Sequence, residues 1–93
     1  MPPQETVLDR ASALVEQFRD CNYDFPAMQS AMHEALTGPF ADEIFGEKLS
    51  SLQSNVEGMQ PEDHAAVNIA IHNFSGALLL KHQELLRAAG AAA

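Results

Sequence analysis

The stretch from Pro61 to Ala89 constrains the fold more than any other. It carries the longest unbroken helical periodicity in the chain, and it is apolar on two sides. At about 1.5 Å of rise per residue, a helix over it would be on the order of 40 Å long. Steps of about 100° per residue gather Val67, Ala70, Ile71, Phe74, Ala77, Leu78 and Leu85 into one stripe, with the stem of Lys81 alongside. Ile69, Gly76 and Leu80 fall on nearly the opposite side. A helix that is apolar on two faces needs cover on both, from its own chain or from another.

The segments before it are simpler. After Pro2-Pro3, Thr6 followed three residues later by Asp9 matches a capping arrangement that opens a helix over 6–22. Val7, Leu8, Ala11, Leu14, Val15 and Phe18 share one face of it, with Glu16, Gln17 and Asp20 opposite. Pro26 breaks the pattern and Asp24 can cap the second helix, a short one over 26–36 with Met28, Ala31, Met32, Ala35 and Leu36 inward. Thr37-Gly38-Pro39 closes that helix and opens a third over 39–57. Its apolar side is Ala41, Ile44, Phe45, Leu49, Leu52 and Val56, and Gly46 costs it about 1 kcal/mol against Ala. Gly58 ends the third helix, and Pro61, Glu62 and Asp63 supply the Pro and acids favoured in the first turn of the last one, over 61–89. The Ala-rich tail after Gly90 is expected to fray. No alternating β-branched run occurs. The fold class is all-α: one domain over 1–93, a compact antiparallel bundle of about four helices with a long C-terminal helix.

Charge narrows the function classes. Thirteen acidic against five basic residues give a net charge of -8, so the surface repels phosphate and holds no Lys/Arg cluster for direct nucleic-acid binding. The same balance disfavours an anionic membrane surface. No apolar run approaches the roughly 20 residues of a membrane span, and the longest, Ala77 to Leu80, reads as core. The start of the chain lacks the basic and apolar regions of a secretory signal, so a cytosolic protein is expected.

Little in the pattern points to chemistry. His64, His72 and His82 are eight and ten residues apart, at least about 12 Å along one helix, so they cannot share an ion there. His33 lies on another segment. Glu43 and Glu47, one turn apart in a continuous helix, and Glu62 with Asp63 project from polar faces, where carboxylates stay solvated and ionised. Cys21 is single and continues the apolar stripe of the first helix, as a small hydrophobe does. We therefore expect no catalytic, cofactor-binding or metal residues.

The two-sided last helix points instead to protein binding. The expected site is its outer face, Ile69, Gly76 and Leu80, together with the Leu85-Leu86 end, serving an adaptor, chaperone or inhibitor that works as a homodimer or receives another protein's helix. The alternative is an acidic inhibitor, such as a phage-encoded anti-defence protein, that blocks the basic surface of a nucleic-acid-binding protein through Asp42, Glu43 and Glu47. Tyr23, Phe25 and Phe40 sit at turns, where aromatics serve either as core cover or as exposed anchors.

Overall fold

Local capping fixes where the first two helices begin. A computed structural model describes the chain from Thr6 to Ala92, with side chains to Gly90. The Pro2-Pro3 lead and the last residue of the tail lie outside the described residues. The first helix, α1 (Val7–Asp20), opens with a reciprocal capping box: the Asp9 N–H donates to Thr6 Oγ1 at 3.1 Å, and the Thr6 N–H donates to Asp9 Oδ2 at 3.1 Å. It stops where Asn22 and Tyr23 take left-handed backbone angles, φ 49° and 64°. The second helix, α2 (Phe25–Thr37), starts on Asp24, whose carboxylate accepts the Ala27 N–H at 3.1 Å.

The third segment departs from the expected continuous helix over 39–57. It is α3 (Ala41–Phe45), one 3₁₀ turn (Gly46–Lys48) and α4 (Leu49–Glu57). Phe40 precedes α3 in a left-handed conformation, φ 65°, so Pro39 stands before the helix and not at its first position. Gly46 takes φ 54° with ψ -129°, a geometry that a Cβ would disfavour, and it breaks the helix there. The bend lets Ile44 and Phe45 before it, and Leu52 and Val56 after it, all reach the core.

The last helix, α5 (His64–Ala92), begins three residues later than the periodicity predicts. Gln60 to Asp63 form a turn, and Asp63 Oδ1 accepts the Ala66 N–H at 3.1 Å. The helix passes through Gly90 without stopping, against the expectation that the tail frays there. At 29 residues it runs about 43 Å, close to the molecule's longest dimension of 46 Å. Phe18 packs on Phe74 and Ser12 meets His82, so α1 lies antiparallel to α5.

The core is apolar throughout, with no buried polar residue among the described residues. Phe74, Met32, Leu36, Met59 and Leu78 are its largest fully buried side chains. Two glutamines tie α2 to the α4 segment through backbone carbonyls at or just beyond helix ends. Gln53 Nε2 donates to Leu36 O at 2.9 Å, and Gln29 Nε2 donates to Val56 O at 3.3 Å and Met59 O at 3.4 Å. Among the described residues no helix is long and apolar enough to cross a membrane.

Two substitutions test this packing. Phe74→Ala should lower the unfolding free energy by about 3–5 kcal/mol in urea titrations, since it empties the centre of the core. A loss below about 1 kcal/mol would contradict the packing. Gly38→Ala should cost about 1–3 kcal/mol by the same measurement. The added Cβ would come to 2.7 Å from both the Glu34 carbonyl oxygen and Arg10 Nη2, and the carbonyl belongs to helix backbone that resists moving.

Candidate interaction surface

With Phe74 facing the core, helical geometry turns a different set of side chains outward. Ile69 is 58%, Leu80 54%, Leu86 49% and Leu79 45% exposed. These are four of the five large hydrophobic residues that stand exposed among the described residues, and all four lie on α5. Gly76 is exposed at the middle of the same face, and a Cβ built on it would meet nothing within 4 Å. The fold itself therefore has no need of a glycine there.

The five residues expected from the sequence to form this surface do not all reach it. Ile69, Gly76, Leu80 and Leu86 do, whereas Leu85 is half-buried and packs against the core. Leu79 is a member that the sequence reading missed, because the run Ala77 to Leu80 reads as core. The structure splits that run, burying Ala77 and Leu78 and exposing Leu79 and Leu80. The signal that could have found it was spacing, since Leu79 stands three residues from Gly76 and seven from Leu86.

Two of the three acidic candidates, Glu43 and Glu47, border this surface. Asp42, Glu43 and Glu47 are all exposed. Glu43 and Glu47 are separated by the break at Gly46, so they are not one turn apart on a continuous helix as expected. Both line an open groove shared with Leu80, Lys48, Lys81 and Glu84. The two lysines interrupt the negative charge, and Lys81 Nζ lies 3.9 Å from Glu84 Oε2.

The remaining polar candidates are scattered. His33, His64 and His72 are exposed on separate turns. His82 is half-buried with Nε2 3.0 Å from Ser12 Oγ, and no carboxylate meets its other ring nitrogen among the described residues. That contact links α1 to α5. No three His, Cys, Asp or Glu side chains among the described residues are grouped to hold a metal ion. Of the turn aromatics, Phe25 and Phe40 pack against the core, whereas Tyr23 is 91% exposed.

Fold and surface together define a small all-α bundle with one uncovered helix face. Comparison of the chain with protein-family models, curated proteins and solved structures finds no match.

Cys21 illustrates how local structure sets reactivity. Its Sγ donates to Gln17 O at 3.3 Å, and the side chain is partly covered at the end of α1. Burial raises the thiol pKa above its ordinary value, and the carboxylates of Asp20 and then Asp24 raise it further. A raised pKa leaves less thiolate at any given pH, so alkylation should be slower than for a free cysteine. Its rate-against-pH curve should lie at higher pH and return to the ordinary position in denaturing urea. A curve at or below the free-cysteine position in the folded protein would contradict this environment.

Proposed function

We propose that the chain is a non-enzymatic protein-interaction module of the adaptor, chaperone or inhibitor type, working in the cytosol as a homodimer. Its binding surface is the outer face of α5. One observation carries this reading: Ile69, Leu79, Leu80 and Leu86 are exposed along one helix whose opposite face holds the core. Scattered single apolar residues are ordinary on protein surfaces, but an aligned set on one element marks a place where another surface rests. The acid distribution favours this reading over an acidic contact through Asp42, Glu43 and Glu47, because Lys48 and Lys81 share the groove of Glu43 and Glu47.

Light scattering over a range of concentrations tests it. The wild-type chain should show twice the mass of one chain. Ile69→Asp and Leu80→Asp should each weaken association on the order of a hundredfold, since each would place an unpaired carboxylate in an apolar contact. Both positions are exposed in the single chain, so far-UV circular dichroism should be unchanged. A wild-type protein that stays monomeric at hundreds of micromolar would remove the homodimer.

A further inference from the structure

Along the outer face of α5 the exposed residues Ile69, His72, Gly76, Leu79, Gln83 and Leu86 are spaced alternately by three and four. That is the spacing of the contact seam in a two-helix coiled coil. The seam also reads complementarily when reversed. Ile69 answers to Leu86, His72 to Gln83 and Gly76 to Leu79, so every position has a counterpart suited to it.

We propose that the occupant of this face is a second copy of the chain whose α5 lies antiparallel, with Ile69 packed on the partner's Leu86 and Gly76 under the partner's Leu79. This rests on the homodimer reading and adds its direction and register. In an antiparallel pair each layer joins one position of each seam type. The outer layers are apolar on apolar, and the next pair His72 with a Gln83 amide that can both donate and accept. In the central layers a leucine fills the hollow left by a glycine. A parallel pair in register would set each residue against itself, leaving a void between two Gly76 backbones.

Charge selects the same arrangement. The chain carries -8, yet only one of its thirteen acidic residues, Glu84, lies within α5. The repulsion between two copies is thereby kept off the seam. A parallel pair would stack the acidic starts, Glu62 and Asp63, side by side. The antiparallel pair separates them by the length of the helix, moves each toward the partner's exposed Arg87, and aligns the helix dipoles head to tail. Gly76 adds a separate observation, since it weakens the helix and meets nothing in its own chain.

The test uses cysteine pairs in a Cys21→Ser background under mild oxidation, read on non-reducing gels with masses from light scattering. Ile69→Cys with Leu86→Cys should give a covalent dimer at a yield at least about tenfold above either single variant, because each disulfide needs two α-carbons within about 7 Å. Within one chain the two positions are about 26 Å apart, so the bond cannot form internally. Gly76→Leu should leave the thermal melt of the single chain unchanged or raised, and should weaken association at least about tenfold by overfilling the central layer. Cross-linking by Ile69→Cys alone would show a parallel pair and overturn the proposal. So would a dimer that the double variant fails to cross-link, or one that Gly76→Leu does not weaken; in each case the homodimer reading would survive. A monomer in light scattering would remove both.

Discussion

Everything about this molecule turns on where Phe74 points. Its ring sits between Phe18 of α1, 5.1 Å away centre to centre and tilted by 45°, and Phe45 of α3, 5.5 Å away and tilted by 31°. Tilted aromatic contacts at this separation stabilise beyond their buried area, and together these two fix α5 in rotation as well as in position. Once rotation is fixed, helix geometry assigns every other residue. Ala70, Ala77 and Leu78 follow Phe74 inward, while Gly76 and Gln83 fall within about 20° of the opposite direction. The inner contact thus also defines the outer surface.

Length explains why that surface stays open. A rod of 29 residues is packed by α1, α3 and α4, of which the longest has 14 residues. They converge on the side carrying Phe74, and the glutamine bonds between α2 and α4 close the rest of the bundle on itself. A chain this small buries only about 60–65% of its unfolded surface at best. Covering α5 all round would need another helix. What the bundle supplies is one well-packed side, with the other left to solvent or to a partner.

How far the sequence announced this depends on whether the deciding interaction is local. The starts of α1 and α2 rest on side chains three residues from the amides that they cap, Thr6 with Asp9 and Asp24 with Ala27, and both were legible. The break at Gly46 was not. The apolar spacing from Ala41 to Val56 fits an unbroken helix, and the glycine penalty of about 1 kcal/mol is too small to argue otherwise. The bend follows from tertiary demand, because Phe45 must meet Phe74 while Leu52 and Val56 reach the core from the other side of the break. Leu79 and Leu85 failed for a related reason. Adjacent leucines differ by about 100° in direction. Leu85 lies on the Phe74 stripe of the sequence pattern as well as in the expected Leu85-Leu86 contact end. The Phe18 and Phe45 contacts that turn the stripe inward take Leu85 with it and leave Leu79 outside. Tyr23 depends on a left-handed backbone at a turn, which nothing in its own neighbours requires.

Five outer positions of α5, interleaved with polar ones such as His72 and Gln83, are occupied by residues that a solvated helix would not favour. On α1 and α2 the exposed positions carry Asp9, Glu16, Asp20 and Glu34, as on an ordinary solvent-facing surface. On α5 the exposed positions include Ile69, Leu79, Leu80 and Leu86, with a glycine between them, and a single acid, Glu84. Each apolar side chain there is about half exposed, so it forgoes roughly half of the 1.5–3 kcal/mol that full burial would bring. Gly76 forgoes about 1 kcal/mol of helix preference besides, with no contact in its own chain to offset it. Internal packing accounts for every residue on the inner stripe and for none of these. A second surface laid along α5 would account for them together, because burial would recover the leucines, close approach would use the glycine, and the scarcity of acids would lower the repulsion between two strongly negative chains.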